Sequence, residues 1–321
     1  MRLALTALGL LLCATTAIAT EAPYASSVPI AKPALFAEGV ISTQDFESHP
    51  AFTPDGRTLY FVKSTPAFSF WTIVVSRFVD GRWTTPEVAP FSGRYSDADP
   101  YVTRDGKQLY FISNRPAPDK AARDLDIWVM DRADTGWSEP RRLPAPANSA
   151  GNEWFPTLAA DGTLYLGSDR PGGQGATDLW RCRRAGAGFA AAENLDATIN
   201  TATDEYEPWI TADQQRLFFM ASGRADAHGG SADLYVSDWK DGAWRAPRNL
   251  GDAINSNRDE YSPTISPDGR YFFFASARGR GSPPQKAMRY ADLLEWLRGP
   301  LNGLGNIYRV DLNSVAPVDS R

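Results

Sequence analysis

Five acidic residues recur at one kind of place in this 321-residue chain. Each stands three residues before a proline: Glu47 before Pro50, Asp97 before Pro100, Glu153 before Pro156, Glu205 before Pro208 and Glu260 before Pro263. One residue before the same prolines the identity changes, to His49, Asp99, Phe155, Glu207 and Ser262. Carboxylates and an imidazole that converge in one pocket can trade protons with a substrate or ligate a metal. The only other histidine is His228, in the glycine-rich stretch 225–232. Signals for other chemistries are missing: there is no G-x-S-x-G elbow, no Walker loop, no Cys–His arrangement and no H-x-x-H ligand spacing.

Repetition itself separates two readings. A residue type present in every copy serves the copy, whereas one that breaks the pattern is free to serve a function. For the invariant acids Glu47, Asp97, Glu153, Glu205 and Glu260, the favoured reading is structural, with each carboxylate accepting N–H bonds from a neighbouring unit. The competing reading is a ring that holds a divalent cation or a cationic peptide group, because clustered like charges need a counter-charge. The variable His49, Asp99 and Glu207 are the binding candidates, placed by strand period two on the same side as the acids. His228 joins them, and no residue is assigned a catalytic role.

A further pairing is expected within each unit. Arg115, Arg170 and Arg224 follow the second strands, and Asp126, Asp178 and Asp233 open the third. The first unit has Thr65 and Thr72 in those places, so both partners are lost together, as expected for a guanidinium fork bonded to its own unit's aspartate.

The elements that position these residues are short strands. Asp259 to Ala275 reads as a strand, a Ser-Pro-Asp-Gly turn and an aromatic return strand. The same pattern occurs five times, with turn aspartates Asp55, Asp105, Asp161, Asp213 and Asp268 spaced by 50, 56, 52 and 55 residues. Third strands follow, then short turns and a fourth strand carrying Trp83, Trp137, Phe189 or Trp244. Four strands per unit of this length predict an all-β β-propeller of five four-stranded blades over residues 33–315. The last unit lacks a fourth strand, and the segment from Pro33 to Ser42 matches the end of a unit, so the N-terminal strand is expected to close the last blade. An interruption from Gly279 to Gly305 contains an amphipathic helical pattern, Ala287 to Arg298. Trp296 on it is a further binding candidate, in a lid, a docking element or a plug for the channel.

The pattern E-x-x-P-x-x-x-x-D-G-x-x-L-Y-F, followed by S-x-R-P-G-G-x-G-x-x-D-L-W, is carried most fully by Glu153 to Trp180 and Glu260 to Arg278. It resembles the WD40-like (PD40) repeats of the TolB-like propeller family. That resemblance implies a cell-envelope propeller that binds a protein or peptide. TolB itself has six blades and an added α/β domain, whereas five blades and no such domain are read here.

Ten Trp, twelve Tyr and sixteen Phe suit a large aromatic core. Arg2, the apolar run from Leu3 to Leu12 and the Ala17-Ile18-Ala19 site read as a signal peptide over residues 1–19, too short to span a bilayer. Cys13 raises a lipoprotein reading, which the bulky Leu12 before it disfavours. Residues 20–32 read as a linker and 316–321 as a tail. Removing the leader would leave Cys182 alone, without an intramolecular disulfide. The whole chain carries a formal charge of −5. Without basic runs in the repeats, neither nucleic acid nor anionic lipid is an expected partner.

The first functional reading is therefore a periplasmic or secreted monomer, non-enzymatic, that binds an envelope protein or peptide through its top face. That is the face bearing the loops into the innermost strands. The alternative is a polysaccharide hydrolase or lyase with a carboxylate and histidine site in the central funnel. Five-bladed propellers include such glycosidases. TolB-like repeats also resemble those of oligogalacturonate lyases, which use histidine and a metal.

Overall fold

A computed structural model describes residues 21–117, 124–282 and 284–316. The expected signal peptide and all of the tail but Ala316 lie outside the described residues. The chain is an all-β, five-bladed β-propeller. The innermost strands are Phe46–Phe52, Asp97–Val102, Glu153–Leu158, Asp204–Ile210 and Glu260–Ile265. Each pairs antiparallel with a second strand, and that with a third.

Turn chemistry fixes the first hairpin in four of the five blades. The Asp55 carboxylate accepts from the Thr53 hydroxyl and the Arg57 N–H, and Thr103–Asp105, Thr211–Asp213 and Ser266–Asp268 repeat the arrangement. Gly269 takes the left-handed φ of +73° that this turn requires.

The fourth strand departs from expectation. Trp83, Trp137 and Trp244 lie on two-residue strands that extend a hairpin from the far end of the third strand. The third strand's blade partner is a separate piece further on: Glu87–Val88, Arg141–Arg142, Glu193–Asn194 or Arg248–Asn249. Pro86, Pro140 and Pro247 stand between the two pieces, and a proline lacks the N–H that a continuous ladder needs.

Ring closure follows the expected register. Ala34–Leu35 pairs with the last third strand, Ala34 opposite Arg309 and Leu35 opposite Tyr308. Phe36 then turns into the wedge between the last and first blades. Its ring meets Phe52, Trp83 and Phe273 at centroid distances of 5.9, 5.8 and 5.1 Å. Tyr24, within the stretch read as a linker, is buried in the same cluster. The apolar core lies between blades, as it must when a single sheet cannot cover both its faces.

Candidate functional site

The five prolines shape the channel. Each inner strand slips register around the residue before its proline. That residue adopts a left-handed φ in every blade: 54° at His49, 52° at Asp99, 47° at Phe155, 55° at Glu207 and 57° at Ser262. The following ring disfavours the right-handed helical region and removes a ladder N–H, so the strand bulges and re-aims one side chain. Each such residue costs of order 1–3 kcal/mol. The backbone device is common to all five blades, and only the side chains differ. The expected period-two relation to the acid ring is broken at this step.

All five side chains are buried around the axis. His49 Nε2 lies 3.0 Å from Asp99 Oδ1 and 3.1 Å from Glu207 Oε1. His49 Nδ1 is 2.6 Å from Ser48 Oγ. Asp99 Oδ2 accepts the Phe155 N–H at 2.8 Å, and Glu207 Oε2 accepts the Ser262 N–H. Phe155 and Tyr261 flank the imidazole at centroid distances of 5.8 and 5.9 Å. Burial pushes the imidazole towards neutrality, but the Asp99 and Glu207 charges outweigh it and hold its pKa up at about 10. At neutral pH the centre is therefore an imidazolium held between two carboxylates. Ser262 Oγ is buried beside it with no hydrogen-bond partner among the described residues.

This cluster divides the channel. Above it is a chamber of about 180 Å³ whose polar residues are His49, Asp99 and Glu207 and whose aromatic lining is Phe68, Trp71, Trp154 and Tyr206. Below it opens a funnel of about 470 Å³ towards the first-hairpin turns. Asp99 borders both.

The acid ring has a different role. Glu47, Asp97, Glu153, Glu205 and Glu260 are fully buried. Each accepts from a Ser or Thr hydroxyl four or five residues earlier, at Thr43, Ser92, Ser149, Thr201 or Ser256. Each also carries its own cation: Lys63 on Glu47, Arg115 on Asp97, Arg170 on Glu153, Arg224 on Glu205 and Arg278 on Glu260. Burial pushes the Glu47, Glu153 and Glu260 carboxyls up, against the hydrogen bonds and cations that hold them down. A ring in which each acid is paired internally does not fit the divalent-cation reading. Among the described residues no group of three or more His, Cys, Asp or Glu is arranged to hold a metal ion.

The same contacts correct the expected arginine pairing. Arg115, Arg170 and Arg224 reach back to the inner-strand acids, not to Asp126, Asp178 and Asp233. Asp126 pairs with Arg142. Asp178 and Asp233 accept loop N–H groups and the amides of Asn194 and Asn249. The loss of the arginine in the first blade has a simple cause, since Lys63, two residues before Thr65, takes over its charge on Glu47.

His228 and Trp296 do not join the centre. His228 lies beside Asp233, Nδ1 to Oδ2 3.7 Å, and lines neither chamber. The helix forms as Tyr290–Arg298, three residues shorter at its start than the pattern suggested. It does not plug the channel. None of its residues is buried, and Arg298 borders a groove at the outer rim with Lys63 and residues 38–40 and 42–45. The aromatic chamber lining was not foreseen. Its signal was available in Trp154 and Tyr206, each immediately before a variable pre-proline residue.

No protein-family model matches the sequence, and no curated protein sequence matches it. Solved structures are similar to this chain at low identity. A GH43 endo-arabinanase from Bacillus licheniformis is 12% identical with a TM-score of 0.49, over 85% of this chain and 96% of that one. An α-L-arabinofuranosidase from Podospora anserina is 13% identical with a TM-score of 0.46, over 89% and 98%. A puromycin-hydrolysing peptidase from Mycobacterium tuberculosis is 18% identical with a TM-score of 0.41, over 82% and 42%. These are likenesses of architecture, and propellers host many chemistries.

Proposed function

We propose that the chain is an exported glycan hydrolase whose site is the upper chamber. One observation carries this reading. Two carboxylates from different blades converge on one imidazole at the base of an aromatic-lined chamber. Sugar rings present apolar C–H faces that aromatic side chains cover, and their hydrolysis uses a carboxyl pair across the scissile bond. At about 180 Å³ the chamber is smaller than the ~300–1,000 Å³ of a drug-sized pocket, so it admits one ring of a longer chain.

The close approach bears on the stereochemistry. Two oxygens that both touch His49 Nε2 stand no further apart than those contacts laid end to end. From so close an approach of the two nearest oxygens we infer retention, with one carboxylate attacking the anomeric carbon while the other protonates the leaving oxygen, and water then hydrolysing the glycosyl ester. Glu207 is the more accessible, its side chain 12% exposed against 5% for Asp99. We assign Glu207, which takes up the His49 Nε2 proton and passes it to the leaving oxygen, as acid and then base, and Asp99 as nucleophile. His49 holds both in place.

The test is release of reducing ends from a panel of neutral and acidic polysaccharides. Turnover that Glu207→Gln abolishes supports the assignment. Binding without turnover on every glycan would return the chain to the binding-module reading. One observation favours that second reading: Tyr290, Leu293 and Leu297 present an exposed apolar stripe on the rim helix, suited to an envelope protein or peptide.

A further inference from the structure

The lower funnel is built differently from the chamber above it. Its volume of about 470 Å³ lies within the ~300–1,000 Å³ range of small-molecule sites. Its wall is apolar, made by Phe52, Tyr101, Phe155, Trp209 and the prolines of the inner strands. Most of its polar groups are already committed. Thr157 Oγ1 donates to the Pro208 carbonyl at 2.8 Å and Thr264 Oγ1 to that of Pro50 at 3.1 Å. Asp99 is held by His49 and the Phe155 N–H.

Arg104 is the exception. Its guanidinium is fixed by the Tyr101 hydroxyl at 3.2 Å, the Leu158 carbonyl and the Ile210 carbonyl at 3.0 Å, and stands 5.6 Å from the centre of the Trp209 ring. All these partners are neutral. Among the described residues no carboxylate lies within ion-pair distance of it, although Asp213 feels its charge. Five N–H donors are available on a guanidinium, so its three acceptors leave donors over. A rigid cation at the mouth of an apolar funnel selects an anion with an apolar body, because a charge-assisted bond is about twice as strong as a neutral one.

We infer that the lower funnel is a second ligand site, for a compact organic acid whose carboxylate sits on Arg104 and whose apolar body lies against Trp209, Tyr101 and Phe52. The site is independent of the glycan reading, since it lies on the other side of the His49 cluster.

Calorimetric titration of the intact chain with 4-phenylbutyrate and with its neutral counterpart 4-phenylbutanol tests it. The acid is expected to bind at least about tenfold more tightly than the alcohol, and the margin should shrink as salt is raised. Arg104→Met should erase the margin. Ala212 is an exposed residue on the funnel lining, so Ala212→Trp should block both ligands without moving the melting temperature. Equal affinity for acid and alcohol, no heat from either up to about 10 mM, or binding that survives Ala212→Trp would each overturn the inference. Should Arg104→Met fail to fold, the salt dependence and Ala212→Trp still decide it.

Discussion

His49 and Asp99 stand on adjacent blades, yet Nε2 and Oδ1 approach to 3.0 Å across the axis because both residues sit on the same left-handed bulge. Glu207, two blades beyond Asp99, completes the contact at 3.1 Å. A buried charge cluster drawn from three blades ties the ring together at its narrowest point. It also sets a pH dependence.

The sign follows from the direction of the shift. A histidine held at about 10, above its ordinary 6.5, binds its proton more tightly folded than unfolded. Its stabilisation is complete below about pH 6.5 and disappears as pH rises through about 10. The raised glutamates act in the same direction, but at acidic pH. Denaturant midpoints should therefore fall between pH 7 and 10 in the natural chain. In His49→Gln that alkaline slope should be absent, and the variant should be about 3–5 kcal/mol less stable at pH 7, because two carboxylates then face each other unpaired. A slope that survives the substitution would place the titrating group elsewhere.

Arg170 and Glu153 test the corrected pairing. Both are almost wholly buried, so Arg170→Met strands a buried charge at a cost of about 3–5 kcal/mol. Adding Glu153→Gln should recover much of that loss, and Asp178→Asn should not. A double-mutant cycle by chemical denaturation reads the difference. Coupling of Arg170 to Asp178 in place of Glu153 would restore the pairing expected from sequence.

Phe36 locks the closure. Its ring is buried among Phe52, Trp83 and Phe273, with the Arg309 guanidinium 5.5 Å from its centre. Phe36→Ala should cost about 3–5 kcal/mol. Leu35→Ala, one residue earlier and only half-buried, should cost less. Thermal melts compare the two directly, and equal losses would show that the ladder, not the aromatic wedge, closes the ring.

The fold was legible because its signals are local and repeated. Five aspartate-centred turns at four similar spacings need no knowledge of long-range contact, and the surplus strand at Pro33 to Ser42 gave the closure. His49, Asp99 and Glu207 were legible as exceptions to a repeat. Their direct contact was not, because an ordinary strand would have kept them in phase with the acids, and the mid-strand prolines that signal a bulge do not say where the re-aimed side chains meet. The arginine partners were misread for a related reason. Arg170 is closer in sequence to Asp178 than to Glu153, but pairing of the first and second strands sets Glu153 opposite Ser168, two residues before Arg170. Sequence distance gave the wrong neighbour where strand register gave the right one.

The glycan reading makes its sharpest prediction at Glu207, where structural and chemical roles can be separated. Glu207→Gln keeps an oxygen to accept the Ser262 N–H, so the fold should survive, but it removes the carboxyl that must pass a proton to the leaving oxygen. Turnover should fall by about 10²–10⁴ with KM little changed, as for the loss of a group acting on the transition state. Trp154→Ala should do the reverse, raising KM while leaving kcat nearly intact, because the Trp154 ring, packed edge-on against Tyr206 at 5.8 Å, can cover a sugar face without touching the reacting atoms. Asp99→Asn should stop the reaction after binding, since an amide cannot form the glycosyl ester. If Glu207→Gln and Trp154→Ala instead weaken binding of one glycan alike and no variant alters a rate, the carboxylates hold the sugar without cleaving it, and the chamber is a lectin-like site.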